Sequence, residues 1–253
     1  MLYYIYDHTY EGLLTAVFDA FFRKEEPTRI LGQREEVPLF TESHHVDTDK
    51  EKADRVLAGL KKKISDSALN MLFVSFLSEQ KDIELMIFRY IKKAFSSDVS
   101  IELNFGDDDV LSLSKLFRSV KNESTRIKEF VRFQRVSDRL YIALIDPKYD
   151  VLPLCYSFFE DRYADQPWII YDKARHYGVH YDLNKTEIVH FEQLNFHWDT
   201  GKLHDELLDE DEKTFQTLWK DYLSAITIQQ RKNLRLQRQM MPKRFWEYLT
   251  EKQ

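Results

Sequence analysis

Apolar residues recur at helical spacing through the first half of the chain. The clearest such face comprises Leu14, Val17, Phe18, Phe21 and Phe22. The same spacing returns over residues 53–64, 69–77, 83–91 and 108–131, and it predicts amphipathic helices there. Asp47 is the candidate N-cap of the second of these helices. Leu2–Tyr6 is predicted to be a short strand, whereas residues 23–46, with two prolines and many charges, are predicted to form a loop.

Short aromatic and β-branched runs replace this spacing in the second half. They predict strands over 139–145 and 168–171 and a hairpin over 177–191. A last amphipathic helix carries Phe215, Leu218, Trp219, Tyr222, Leu223 and Ile226. The chain therefore predicts an α+β fold, with a mainly helical N-terminal half followed by a small antiparallel sheet and terminal helices. We expect a single compact domain over 1–253, with two lobes (1–131, helical; 132–253, mixed) as the alternative.

Composition excludes several classes of protein. The chain has 37 Lys and Arg against 43 Asp and Glu, a net charge of −6, so bulk charge does not attract it to nucleic acid. Its six glycines lie far apart, whereas a P-loop, a dinucleotide fingerprint and a G-x-S-x-G elbow each need clustered glycines. Cys155 is the only cysteine, which excludes an intrachain disulfide and an intrinsic iron–sulfur cluster. Its apolar neighbours predict that it is buried.

The histidines form no metal-binding motif. His176 and His180 are four residues apart, but their neighbours are strand-like, and four residues of strand span roughly 13 Å. No metal and no cofactor is therefore predicted, and His44 and His45 are expected to be exposed in the charged loop. No secretory signal and no apolar stretch of membrane-spanning length is present. We expect a cytoplasmic protein without membrane contact.

The strongest local feature is the segment RKNLRLQRQMMPKRFW over 231–246, which contains no acidic residue. Its candidate nucleic-acid-binding residues are Arg231, Arg235, Arg238, Lys243, Arg244 and Trp246. The first three are spaced by four and three, which places them on one side of a predicted helix. Guanidinium groups followed by aromatic rings are what a groove for phosphates and bases requires. The alternative is a solvated basic helix that pairs with the acidic run over 205–212.

A second basic row lies along and just beyond the predicted helix over 108–131. It comprises Arg118, Lys121, Lys128, Arg132 and Arg135. Rows of this kind are most often the solvated side of an amphipathic helix. This row supports a nucleic-acid interface only if it is continuous with the C-terminal block.

Four carboxylates are candidates for acid–base catalysis. Asp7 and Glu11 flank the junction between the first strand and the first helix, where they are placed for proton transfer together with His8. The simpler interpretation is that Asp7 or Thr9 caps the helix. Asp161 and Asp172 are the candidates in the second half.

Several blocks of the sequence resemble a bacterial family of unknown function. They are YDHTYEGLLTAVFDAF, RIKEFVRF with RLYIALIDPKYDVLPL, FFEDRYADQPWIIYDKAR, and the ending RKNLRLQRQMMPKRFWEYLTE. The family is labelled a probable DNA metabolism or DNA repair protein. The resemblance implies a companion radical SAM protein encoded nearby and relatives fused to uracil-DNA-glycosylase-like domains. The family usually has Gly at the position of His8 and often His near Thr125.

Three classes of function are open at this point. The first is an accessory factor in DNA repair or modification that binds DNA through the basic C-terminal block and works with the radical SAM protein. The second is an enzyme that acts on DNA itself, by glycosylase- or nuclease-like acid–base chemistry. The third is a protein-interaction scaffold whose basic helix meets an acidic partner.

Overall fold

A computed structural model describes residues 1–33, 35–38, 40–136, 140–191, 196–197 and 202–252. They form two compact units, Met1–Lys121 and Asn122–Gln253. Helices dominate the N-terminal half, and a mixed sheet with further helices forms the C-terminal half. The predicted α+β fold class is thereby confirmed. No helix among the described residues is long and apolar enough to cross a membrane.

A three-stranded parallel sheet lies in the first unit. β1 (Leu2–Tyr6) is central, and β2 (Arg29–Gly32) and β3 (Glu42–His45) pair with its two edges. The prediction of β1 is confirmed, but the prediction of a loop over residues 23–46 is wrong. The edge strand β3 reads ESHH and is mostly exposed, so its side chains carry no strand pattern. Pairing with β1 defines this strand, and tertiary context outweighs propensity there.

Five helices follow the apolar spacing that predicts them. They are α1 (Tyr10–Arg23), α2 (Lys50–Leu60), α3 (Asp66–Phe76), α4 (Ile83–Ser96) and α5 (Asp108–Phe130). The N-cap of α2 is Asp49 rather than the predicted Asp47, since the Asp49 carboxylate accepts hydrogen bonds from the backbone N–H groups of Glu51 and Lys52.

His44 is half-buried beside α1, and the expectation that it is exposed is wrong. Its Nε2 atom lies 3.2 Å from Oδ2 of Asp19, and Lys52 donates to Oδ1 of the same carboxylate at 2.8 Å. Burial acts to raise the pKa of Asp19, but the hydrogen bonds from Lys52 and His44 lower it below its usual value. The pairing of β3 with β1 produces this arrangement, because it brings His44 onto the register of Tyr4. His45 is exposed, as expected.

The second unit contains a five-stranded sheet. Its order is β4 (Gln134–Arg135), β5 (Tyr141–Ile145), β6 (Trp168–Asp172), β7 (Tyr177–Tyr181) and β8 (Thr186–Val189). The predicted hairpin is confirmed as β7–β8. β5 and β6 are parallel, so the sheet is mixed rather than antiparallel throughout. The chain between them contains α6 (Tyr156–Arg162), the kind of crossover that a parallel pair requires.

β5 and β6 place different groups at their two ends. Both faces of these strands are buried, which explains their continuous apolar runs. Tyr141 pairs with Trp168 at the beginning of the strands, and Ile145 pairs with Asp172 at their carboxyl ends. Aromatic residues therefore lie where these strands begin, and a buried carboxylate lies where they end. Cys155 is fully buried, as predicted, with its Sγ atom 3.3 Å from Oγ of Ser124.

The C-terminal part contains two very short strands and two helices. These elements are β9 (Phe196–His197), β10 (Lys202–Leu203), α7 (Glu212–Ile226) and α8 (Leu234–Met240). The prediction of α7 is confirmed, but its apolar side is largely uncovered. Phe215, Leu218, Tyr222 and Ile226 are each more than half exposed. These four side chains, spaced by three and four residues, form one exposed apolar face of α7.

Candidate nucleic-acid interface

Most cations of the basic segment are exposed to solvent. Arg231, Arg235, Arg238 and Lys243 are all exposed, and no hydrogen bond or ion pair within the described part of the chain engages their side chains. Two acids of the run over 205–212 are engaged elsewhere: Asp209 forms an ion pair with Arg135, and Glu212 accepts a hydrogen bond from the backbone N–H of Arg135. With respect to the residues that the structure describes, these four cations are therefore uncompensated.

Only two of the three spaced arginines share a helix. Arg235 and Arg238 lie three residues apart on α8, and their side chains point to the same side. Arg231 ends a separate 3-10 turn over Gln229–Arg231. The chain is extended at Lys232 and Asn233, and the Asn233 side chain then caps α8 by accepting from the backbone N–H of Leu236. The prediction of one helical row of three arginines is wrong because this cap starts a new helix.

Arg244 is engaged inside the second unit. Its Nη1 atom donates to Oε1 of Glu123 at 2.6 Å, and its Nη2 atom donates to Oε2, so the pair is bidentate. The Glu123 side chain is 3% exposed. The Arg244 guanidinium also lies over the ring of Phe245, 4.5 Å from its centroid. Arg244 thus compensates a buried carboxylate and is not positioned to bind a phosphate.

Trp246 is only partly available for stacking. Its indole N–H donates to the backbone carbonyl of Met241 at 3.0 Å, and Lys252 Nζ lies 4.9 Å from the ring centroid. A base that stacked on this ring would have to displace the Lys252 ammonium group from the face it covers. Of the predicted interface, Arg231, Arg235, Arg238 and Lys243 are consequently the exposed cationic part.

Asp7 and Glu11 belong to the junction that begins α1. Asp7 accepts hydrogen bonds from the backbone N–H and hydroxyl of Thr9 and from the hydroxyl of Thr48. Partial burial acts to raise the pKa of Asp7, but these hydrogen bonds lower it. Thr9 caps the helix by accepting from the backbone N–H of Gly12, and Glu11 is exposed in the first turn. The arrangement is the capping alternative rather than an acid–base pair.

His8 turns away from this junction. It has φ of 65°, a left-handed conformation that favours glycine. Its Nε2 atom lies 3.7 Å from Oε1 of the buried Glu84. Burial raises the pKa of Glu84, although the hydrogen bond from the Tyr6 hydroxyl acts in the opposite direction.

Asp161 and Asp172 have opposite environments. Asp161 is exposed on α6 and has no hydrogen bond or ion pair among the described residues. Asp172 is completely buried at the carboxyl end of β6. Its Oδ1 atom accepts from the backbone N–H groups of Ala174 and Arg175, and its Oδ2 atom accepts from Nη1 of Arg175 at 2.9 Å.

Burial nevertheless raises the pKa of Asp172 to about 6, with Arg175 opposing the shift. The negative charge of Asp150 also raises the pKa of Asp172, by a smaller amount. Asp150 itself accepts a hydrogen bond from the hydroxyl of Tyr177 at 2.5 Å. Asp172 therefore combines a neutral-range pKa with no access to solvent, and a substrate cannot reach it in this conformation.

A cleft lies at the opposite end of these strands from Asp172, where β5 and β6 begin. It has a volume of about 610 Å³. Aromatic residues are the largest group in its lining: Phe133, Tyr141, Tyr163, Trp168, Phe215 and Trp219. We call it the aromatic cleft. Sequence reasoning did not find it, because its residues come from segments up to 119 residues apart in the chain, from Val131 to Thr250.

Arg132 and Arg135 line the aromatic cleft. α5 ends at Phe130, so these two arginines do not continue the helical basic row, and that extension of the row is wrong. Arg132 pairs with Glu251 at 2.8 Å and Arg135 with Asp209 at 3.4 Å. Burial acts to raise the pKa of Glu251, but the hydrogen bond from Arg132 lowers it below its usual value. The cleft is therefore close to neutral in charge.

Over the described ranges, no three His, Cys, Asp or Glu side chains come together as a metal site requires. No curated protein and no solved structure matches the chain. One family model does match, over residues 81–251, and it covers the whole second unit up to the last two residues of the chain. The chain belongs to the family of this model, which is described as a domain of unknown function, DUF4130.

Proposed function

We propose that the protein is a DNA-binding accessory factor that holds the DNA backbone with the exposed cations of residues 231–243. The observation that carries the proposal is the difference within one basic segment. Arg244 is bound to a buried carboxylate, whereas Arg231, Arg235 and Arg238 are exposed and have no carboxylate partner in the described part of the chain. Unpaired cations are free to contact phosphates and to release the counterions that phosphates hold.

The state of the candidate carboxylates favours an accessory role over catalysis by this chain. Asp7 is bonded in a helix cap, and Asp172 is enclosed and bonded to Arg175. Glu11 and Asp161 are exposed without a bonded acid–base partner. The finer parts of the proposal come from the resemblance, which implies a role in DNA repair or modification and a companion radical SAM protein that performs the chemistry.

The first prediction concerns the salt dependence of DNA binding. Each phosphate contact contributes a slope of roughly −0.7 to −0.9 to the plot of log affinity against log salt. Replacing Arg235 and Arg238 together by Ala should remove from this slope the contribution of about two phosphate contacts. The protein should keep its stability, because both side chains are exposed. Fluorescence anisotropy with a labelled oligonucleotide at several salt concentrations measures the slope.

The matched control removes the same charge elsewhere. Lys61 and Lys62 are exposed at the end of α2, in the first unit. Their double replacement by Ala should leave the slope as in the wild type. Equal slopes for the wild type and the Arg235/Arg238 variant would contradict the proposed interface, whereas equal flattening in both variants would mean that only net charge matters.

The exposed apolar side of α7 favours a protein partner as a second function of the same unit. Co-expression with the companion radical SAM protein should recover a complex on purification. Ile226→Asp should reduce that recovery several-fold, because Ile226 is 54% exposed on this side and a charge there opposes burial. Phe22→Asp, at an exposed apolar position of α1, is the control. Clean separation of the two wild-type proteins at micromolar concentration would contradict the partnership.

A further inference from the structure

The floor of the aromatic cleft consists of packed rings, and its outer wall is exposed. Phe133 packs edge-on against Tyr163, with ring centroids 5.3 Å apart, and also contacts Trp168 at 6.2 Å. Phe215 and Trp219 project from α7 on the outer side and are 57% and 39% exposed. The Trp219 indole is held in place by its hydrogen bond to Oε2 of Glu251 at 3.1 Å. A planar ring that enters the cleft therefore meets aromatic side chains on the floor and on the wall.

Several polar groups of the cleft lack partners. Trp168 is 1% exposed, and its indole Nε1 has no acceptor among the residues that the structure describes. This buried donor carries an unrecovered desolvation cost. The Tyr141 and Tyr163 hydroxyls and the side-chain amide of Gln166, all in the lining, also make no hydrogen bond with the described residues. The cleft thus offers both donors and acceptors to a ligand.

The charges of the cleft point to an uncharged ligand. Arg132 and Arg135 are paired with Glu251 and Asp209, and Glu212 already accepts hydrogen bonds from Gln216 and from the backbone N–H of Arg135. No unpaired cation is left among the described lining residues to bind a phosphate. The volume, about 610 Å³, lies in the range of roughly 300–1,000 Å³ that is typical of small-molecule sites.

We infer that the aromatic cleft binds a single unpaired nucleobase. A nucleobase is planar, uncharged and edged with donors and acceptors, and base-binding pockets combine aromatic stacking with hydrogen bonds to those edges. In its full form the inference rests on the proposed DNA binding: the exposed arginines hold the backbone, and the cleft takes one base.

The chain connects the two sites directly. The 3-10 helix over Lys243–Tyr248 joins the end of α8 to Thr250 in the lining of the cleft. Such a helix rises about 2 Å per residue, so its six residues span about 12 Å. A strand held at α8 therefore needs only a few nucleotides to place a base in the cleft. The same chemistry fits a free nucleoside, and the experiment separates these two sources.

The experiment compares three probes on each protein. They are a single-stranded oligonucleotide, the same strand with its central nucleotides abasic, and free nucleosides measured by equilibrium dialysis. The wild type should bind the complete strand about five- to a hundred-fold more tightly than the abasic one, because stacking of one base contributes roughly that factor. Phe215→Ala should reduce this ratio severalfold, towards one. Leu218→Ala, at an equally exposed position of α7 outside the cleft, should retain it.

A more conservative variant tests the proposed hydrogen bonds between the cleft and the base. Tyr163→Phe removes a hydroxyl that bonds to no described residue, so it should leave the melting temperature unchanged while weakening base-dependent binding about two- to ten-fold. Replacing Arg235 and Arg238 by Ala should instead weaken both strands alike and leave the ratio intact.

Each outcome has one meaning. Equal binding of both strands by the wild type, with no nucleoside bound, would overturn the inference while leaving the proposed DNA binding in place. Nucleoside binding that Phe215→Ala abolishes, without binding of either strand, would support the cleft as a nucleoside site and contradict the proposed DNA binding. Absence of binding to all three probes would overturn both.

Discussion

Arg244→Ala is expected to lower the free energy of unfolding by about 2–4 kcal/mol. Removing one partner of a buried ion pair typically costs about 3–5 kcal/mol, because the remaining charge stays desolvated. The Glu123 side chain is 3% exposed, but the Arg244 side chain is 39% exposed. Water will therefore reach part of the space that the guanidinium leaves, and the expected loss lies somewhat below the full figure. Urea denaturation followed by circular dichroism measures it.

The stranded carboxylate is the cause of the loss, and a second substitution tests that cause. Glu123 also accepts a hydrogen bond from the backbone N–H of Lys148 at 2.9 Å, which the amide oxygen of Gln can accept as well. Adding Glu123→Gln to Arg244→Ala should therefore restore part of the lost stability, since a neutral amide is easier to bury than a carboxylate. No recovery in the double variant would mean that the packing of Arg244 on Phe245 dominates.

Arg235→Ala is the matched control from the same segment. Its side chain is exposed and without a partner in the described part of the chain, so its effect on unfolding should stay within about 0.5 kcal/mol. Arg244 and Arg235 are close in sequence, but we expect their substitutions to have different effects. We expect Arg244→Ala to lose stability, and under the proposed function we expect the Arg235 and Arg238 variant to lose salt-dependent DNA binding.

Local patterns predict the helices and the main strands of this fold because those elements carry their own signal. The face of α2 with Ala53, Val56 and Leu60 is buried as its spacing predicts, and the hairpin β7–β8 is confirmed. β2 and β3 have only four residues each, and their partner is β1. Nothing local in such segments reports a pairing with a strand more than twenty residues away.

The sites were harder to predict than the elements, for the same reason. Residue type identifies Arg235 and Arg244 equally as cations, and only the position of Glu123 on α5, 121 residues away in sequence, distinguishes them. The aromatic cleft is likewise assembled from the starts of β5 and β6, one side of α7 and Thr250 near the C-terminus. The apolar side of α7 looks like a core-facing surface in the sequence, and the structure leaves it exposed.

Asp172→Asn should change the pH dependence of stability with a definite sign. Burial raises the pKa of Asp172 in the folded protein to about 6 from an ordinary value of 3.8. The folded state therefore binds the proton more tightly than the unfolded state does. The resulting contribution to stability, about 3 kcal/mol at most, is fully present below about pH 3.8 and is lost as the pH rises through about 6. Asn has the same shape but does not titrate, so it lacks this contribution.

The measurement is the difference in unfolding free energy between the wild type and Asp172→Asn. As the pH falls from about 8 to about 4.5, the wild type should gain roughly 2 kcal/mol of stability relative to the variant. Other acids, such as Asp19 and Asp109, have pKa values that their partners lower, so their protonation destabilises both proteins on acidification. Their effects on the unfolding free energy are the same in both proteins and cancel in the difference. Asp161→Asn, at an exposed carboxylate, is the matched control for the substitution itself.

The same variant distinguishes a structural Asp172 from a catalytic one. Asn retains an oxygen that accepts from the backbone N–H groups of Ala174 and Arg175, so Asp172→Asn should fold and should bind DNA with the wild-type salt slope. If Asp172 transfers a proton to substrate, any base or strand release from damaged DNA by the wild type will follow an apparent pKa near 6, and Asp172→Asn will abolish it. Release that persists in the variant, or that is absent from both proteins, leaves Asp172 as the buried anchor of the β6 end. If release is absent from both proteins, the proposed accessory role leaves the chemistry to a partner, whereas release that persists in the variant would assign it to other residues of this chain.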